Sequence, residues 1–401
     1  MSTTTDWAAD FDILDPRYIL DPASIWSQLR GVCPVAQTTR YGRTWMPVEY
    51  EVIAKIAHDV EHFSSRDIAV ITPNRELDPT ATIMLEAPPI TSDPPVHTWA
   101  RRLLLPAFGP SAIDAVTPVT RDVANGLIDG VIERGEADAA SDYAQHVPVR
   151  VIAQMLGVPL DDEETFTRWA VVILQEGLTN INHAIGSVME LITYFGERAA
   201  ERRAVPPGER PADLLTLLVE AEVDGEPLTD RHVIGSCFLL LLAGIDTTWS
   251  AIGSSLWHLA ANPEDQARLR AEPELMTTAV EEFLRFYSPV TMARYVPEDI
   301  DFEGCPMRKG DKVLMTFPAG NRDPKMFEDA DKFVIDRARN RHFAFGSGIH
   351  RCLGSNLARM ELRVALEEWL RRVPTFELAD PDAVVWTGGQ VRGPRRLPVR
   401  W

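Results

Sequence analysis

Residues 343–359, Phe-Ala-Phe-Gly-Ser-Gly-Ile-His-Arg-Cys-Leu-Gly-Ser-Asn-Leu-Ala-Arg, set one cysteine between a glycine-rich loop and the start of an amphipathic helix. A helix N-terminus carries partial positive charge, and arginines flank the thiol, so Cys352 is placed to ionise and to act as a metal ligand. Gly346 and Gly348 permit a tight turn whose backbone N–H groups can hydrogen-bond a sulfur, and Gly354 lets the helix come close to a flat ligand. The plainer alternative is a buried apolar cysteine beside an ordinary loop. A second loaded stretch is Ala243-Gly244-Ile245-Asp246-Thr247-Thr248. It follows residues 238–242, which are apolar on all sides and hence buried, so a carboxylate and two hydroxyls are carried inside. The Ala-Gly pair opens a gap in the helix wall where a ligand can approach; otherwise Asp246 marks a polar face.

These residues must be held by helices. Apolar residues recur at helical spacing over 112–135, 141–156, 161–178, 184–204, 211–222, 230–261, 263–271, 274–286 and 355–371. The longest, 230–261, has Thr229 as N-cap and Pro263 beyond its end, and at 1.5 Å per residue spans about 48 Å. Short β-rich runs at 44–46, 312–317 and 397–401 suit small accessory sheets, and a doubly wound sheet is disfavoured. Without internal repeats or a low-complexity linker, residues 1–401 read as one mainly α domain.

With 45% apolar residues, the 401-residue chain can bury a large core. Its 59 acidic against 40 basic residues give a net charge of -19, which disfavours a chain-wide grip on nucleic acid or anionic membrane. Cys33, Cys237, Cys305 and Cys352 are scattered, so neither a zinc cluster nor a disulfide framework is indicated, and reduced thiols in the cytoplasm are expected. The longest strongly apolar run, 237–245, is under half the roughly 20 residues of a spanning helix, and the N-terminus lacks a secretory pattern.

The cysteine segment resembles the haem-binding loop of bacterial cytochrome P450 haem-thiolate monooxygenases, with Phe345, Gly346, Gly348, His350, Cys352, Gly354, Leu357, Ala358 and Arg359 at the specified positions. Further landmarks follow the family's order. Residues 93–103 resemble the helix beside the haem edge, with His97 and Arg101 one turn apart and able to reach a propionate. Residues 243–247 are similar to the distal-helix motif. Glu282 and Arg285 match the Glu-x-x-Arg pair, and Arg337 the arginine that completes its buried network. Val334 departs from the acidic residue usual nearby, which bears on local hydrogen bonding but not on Arg337. Arg294 matches an arginine that reaches a propionate from a strand edge.

The resemblance implies a single-domain cytochrome P450 fold and a haem b bound through Cys352, with His97, Arg101, Arg294, Phe345, Gly346, His350 and Gly354 around it. It implies insertion of one atom of O2 into an organic substrate, by hydroxylation or by O- or N-dealkylation. Asp246 would relay protons and Thr247 steady the reacting dioxygen, with electrons from an external ferredoxin and its reductase. A peroxide-driven peroxygenase and a non-catalytic haem protein remain alternatives. By the same analogy the pocket draws on Ile83, Leu85, Ile90, Leu240, Ala243, Val290, Met292 and Trp386, none charged, which favours a small or medium, neutral, hydrophobic substrate such as an aromatic ether or terpenoid. Arg75 is the one loop residue suited to anchoring a carboxylate. Between Arg337 and Arg359 there are five arginines (also Arg339, Arg341, Arg351) and no acid, which suits docking of an acidic ferredoxin. A monomer is expected.

Overall fold

The computed structural model describes residues 6–30, 35–40, 42–71 and 86–401, and helices dominate it. The Asp230–Ala261 helix has the bounds its caps predict: the Thr229 side chain accepts from the backbone N–H of His232, and Asn262 closes the other end. Pro263–Ala271 also matches its predicted span. Elsewhere capping residues moved the ends. Asp213 caps Leu214–Glu220, shortening the segment expected at 211–222, and Asn180 caps Ile181–Ala204, extending the segment expected at 184–204. The segment expected as one helix over 141–156 splits into a π-helical turn, Ala139–Ala144, and an α-helix, His146–Leu156. Asp138 caps the former, and Pro148, with no N–H to give, falls in the first turn of the latter, where that donor is not needed.

Tertiary contacts divide the chain into two units. The first comprises the described residues of 1–81, 277–352 and 386–393. Its four-stranded sheet runs in the order Val35–Thr38, Thr44–Pro47, Lys312–Met315, Met292–Tyr295, with only the central pair parallel. The Tyr50–His58 helix buries Val52, Ile53, Ile56 and Ala57 and turns Glu51 and Lys55 outward. Its apolar face meets Trp45, Val313, Met315, Phe317 and Phe343 in one cluster.

The second unit comprises the described residues of 82–276, 353–385 and 394–401. In it the Asp230–Ala261 helix packs against His146–Leu156, Ile181–Ala204 and Ser355–Arg372. A small sheet sets Pro398–Arg400 between Glu377–Leu378 and Glu136–Asp138. Asp230–Ala261 is apolar enough by length and composition to cross a membrane, but 67% of its most apolar 18-residue window is buried within the chain, as in a core helix.

Candidate functional site

In the first unit the Cys352 loop is shaped by its backbone. Gly346 N–H donates to Phe343 O at 2.8 Å and Cys352 N–H to Phe345 O at 2.7 Å, while Gly346 and Gly348 take φ of +66° and +69°. Left-handed backbone favours glycine at both positions, and at Gly348 a Cβ would also lie 2.1 Å from Ala57 O. The Tyr50 ring stacks on Phe343 at 3.9 Å beneath the loop. Phe345 is buried, whereas Gly346 and His350 are part-buried. The outcome is an exposed Cys352 thiol, three residues before the helix that starts at Ser355; Cys237 and Cys305 are buried.

A brace lies upstream. Glu282 and Arg285, both fully buried, pair through two bonds of 2.8 and 2.7 Å. Arg285 also donates to the carbonyls of Asn321, Ala330 and Lys332, and Arg337 reaches Glu282 at 3.1 Å. Val334, the departure from the family pattern, contributes its backbone N–H to Glu282 Oε1 at 2.8 Å, a bond that any side chain permits. Asn340 adds a donor to Glu282 at 3.1 Å, and His342 meets Glu281 at 3.0 Å; the sequence reading had neither. Glu282→Ala would strand two arginines without their carboxylate, so a loss of about 3–5 kcal/mol in urea unfolding is expected, whereas Glu303→Ala, which only breaks an exposed ion pair with Lys55, should leave the unfolding midpoint close to wild type.

Arg294 is buried on the strand Met292–Tyr295. Val290 bridges to Val391, and the Met292 sulfur accepts from Gln390 Nε2 at 3.3 Å. Trp386 is part-buried beneath the Arg392 guanidinium, 4.3 Å from its ring centroid. Arg75, Ile83 and Leu85 lie outside the described residues.

In the second unit His97 is buried and Arg101 part-buried, one turn apart on Val96–Leu104. Gly354 lies 4.0 Å, measured from where its Cβ would be, from the Phe108 ring. Leu240, Ala243 and Thr247 share a face of the long helix by their spacing. Ala243 is exposed there although Leu242 and Ile245 are buried, and Ile90 is part-buried. The Thr247 hydroxyl donates to Ala243 O at 2.8 Å. Gly244 departs from expectation: the gap it opens is taken by Ile152 of the neighbouring helix, 3.1 Å from a would-be Cβ, so it serves helix packing.

Asp246 is fully buried, bonded to Arg395 and to Gln175 Nε2. Burial pushes its carboxyl above the usual range, and Arg395 and Gln175 oppose the rise. The chemistry of the loop suits haem: an exposed cysteine on a glycine turn, flanked by Arg351, can supply a thiolate ligand. Among the described residues no three His, Cys, Asp or Glu side chains group into another metal site.

Residues 169–384 match the family described as "Cytochrome P450". The mycinamicin IV hydroxylase/epoxidase of Micromonospora griseorubida is 33% identical over 94% of this chain and 95% of its own. The nocardicin C N-oxygenase of Nocardia uniformis subsp. tsuyamanensis is 37% identical over 89% of each. Among solved structures, the Bacillus subtilis 168 bacillaene polyketide synthase cytochrome P450 PksS aligns with TM-score 0.86 at 30% identity, over 97% of this chain and 99% of that one.

Proposed function

Since this chain belongs to the cytochrome P450 family of oxidoreductases and has its fold, we propose that it is a cytoplasmic, monomeric, single-domain monooxygenase that binds haem b through Cys352 and oxygenates a small or medium neutral hydrophobic substrate. When bound, the haem supplies activation of O2, with the thiolate ligand favouring O–O cleavage. The observation that carries the reading is the exposed Cys352 on its glycine turn.

The chain's own residues do the rest. By the family resemblance, His97, Arg101, His350 and Arg294 would hold the rim of the group, and Phe345, Gly346 and Gly354 would allow its close approach. Glu282, Arg285 and Arg337 brace the segment leading to the loop. The family resemblance assigns Leu240, Ala243 and Ile90, and likewise Val290, Met292 and Trp386, to binding the apolar body of the substrate. Asp246 takes a proton at a carboxylate oxygen, and the Thr247 hydroxyl, anchored on Ala243 O, orients its delivery.

Support for an apolar substrate comes from the uncharged side chains that the family resemblance assigns to the pocket. Turnover with NADH, a ferredoxin and its reductase tests the class: products from neutral apolar compounds are expected, whereas peroxide alone supporting full turnover would favour the peroxygenase. In the same panel a neutral aromatic ether is expected to bind about tenfold or more tighter than its carboxylate analogue. The reverse order would overturn the substrate class and direct attention to Arg75.

Electrons come from outside the described domain. Arg339, Arg341 and Arg351 are exposed with no ion-pair partner among the described residues, whereas Arg337 is engaged by Glu282 and Arg359 is part-buried. Such cations steer an acidic partner. Arg339→Glu with Arg341→Glu is expected to slow electron transfer from an acidic ferredoxin about tenfold at low ionic strength, with the difference shrinking as salt screens it. An unchanged rate and salt dependence would remove the surface from the pathway.

A further inference from the structure

One oxygen of Asp246 does all its bonding. Oδ1 accepts from Arg395 Nη2 and from Gln175 Nε2 at 3.1 Å, while Oδ2, buried, has no hydrogen-bond partner among the described residues. Arg395 arrives on the strand Gly393–Arg396. Its guanidinium lies 4.2 Å from the Trp249 ring centroid, and Nη1 donates to Ser250 Oγ at 3.0 Å. Asp246, Trp249, Ser250 and Gly253 are spaced as one stripe of the long helix. Pro394 lies against the last of them, where a Cβ on Gly253 would come within 2.9 Å of its Cγ. The glycine thus gives the strand room to lie along the stripe.

We propose that Arg395 is a positioning residue for proton delivery: seated along this stripe, it clamps Asp246 by Oδ1 and leaves Oδ2 as the atom that takes and gives the proton. The inference rests on the relay role of Asp246 given above. Burial pushes this carboxyl up, and the Arg395 guanidinium is the main force opposing the rise. Among the described residues no other charge does the same work. On Ser355–Arg372, Glu361 faces Thr248, about 200° round the helix from Asp246, and burial pushes it up to about 8. His146 and Arg150 are turned to Glu163, and Arg198, Arg202 and Arg203 to Glu201, Asp213 and Asp230. Asp138 caps its own turn and accepts from Leu397 N–H, and the group from the segment after Glu163–Leu174 is the neutral Gln175.

The test is a two-residue cycle in the holoprotein, read by thermal unfolding against pH and by coupling. A carboxyl whose folded pKa is raised costs stability as pH rises above its unfolded value. Arg395→Gln raises it further. The variant should therefore unfold about 5 °C below wild type near about pH 8, with a smaller deficit near about pH 5. Adding Asp246→Asn should recover about half of that deficit and flatten the pH dependence, and Arg395→Lys should restore part of the wild-type profile. Product formed per NADH should fall about tenfold in Arg395→Gln, and the acid limb of its coupling profile should move to higher pH, because an ionised carboxylate is needed to take up the next proton. Gly253→Ala, which pushes the strand off without touching either charge, should shift both readouts in the same direction by less. A double variant no more stable than Arg395→Gln at high pH, or a coupling limb that stays in place, would overturn the proposal. Intact coupling in Asp246→Asn alone would overturn the relay reading instead, while the stability cycle still reports on the clamp.

Discussion

Cys352→Ser is expected to abolish the thiolate-type carbonyl spectrum of the reduced protein and to lower substrate oxidation by at least about a thousandfold, because a serine hydroxyl does not supply the anionic sulfur donor. The loop should survive the change. Its geometry comes from the left-handed glycines and from the Cys352 and Gly346 backbone bonds, none of which uses the sulfur, and the thiol itself is exposed. Unfolding in urea should therefore move by less than about 1 kcal/mol in the haem-free protein. A variant that keeps both the spectrum and the activity would refute the ligand assignment; one that fails to fold would be separated from it by the unfolding measurement.

Thr247→Ala should leave substrate binding and NADH consumption close to wild type while product per NADH falls about tenfold to a hundredfold and hydrogen peroxide accumulates. The hydroxyl is part-exposed and is fixed by Ala243 O at 2.8 Å, so its removal takes away an oriented donor without opening a core cavity. Alanine is also the better helix former, so little stability should be lost. Asp246→Asn should slow turnover at the proton-dependent step, seen as a larger solvent isotope effect. Unchanged coupling in both variants would take the pair out of the mechanism.

What could be read from the chain depended on how local the determinant is. The bounds of Asp230–Ala261 were legible because Thr229 and Pro263 mark them from within a few residues. The Cys352 turn was legible because the spacing of its glycines reflects backbone geometry. The Glu282–Arg285 pair was readable through family likeness, whereas Asn340 and His342, which complete that brace, sit more than fifty residues away in no pattern of their own. Helices Pro16–Leu20, Pro22–Arg30 and Tyr50–His58, five to nine residues long, are too short to show a firm helical period on their own, whereas the equally short Pro263–Ala271 was legible because Pro263 marks its start directly after the long helix. Gly244 was misread for the opposite reason: a small residue signals close approach but does not say by what, and here the visitor is Ile152. Arg395 gave no sign at all, since nothing near it in sequence suggests a buried carboxylate 149 residues upstream.

That same separation places the clamp in time. The ribosome delivers Asp246 long before Arg395, and closing a loop of this length costs about 4 kcal/mol of chain entropy, so contact between them forms late in folding. Until then the middle of the long helix carries an acid with no cation to bury beside it, and the neighbouring helices have reason to stay loosely packed around it. Arrival of the strand with Pro394 and Arg395 neutralises the acid and lets the helix layer tighten. A nascent chain halted between the two residues should accordingly hold most of its helices yet remain open to protease around residue 246, and the same bond that positions a proton would then also act as the latch that ends folding.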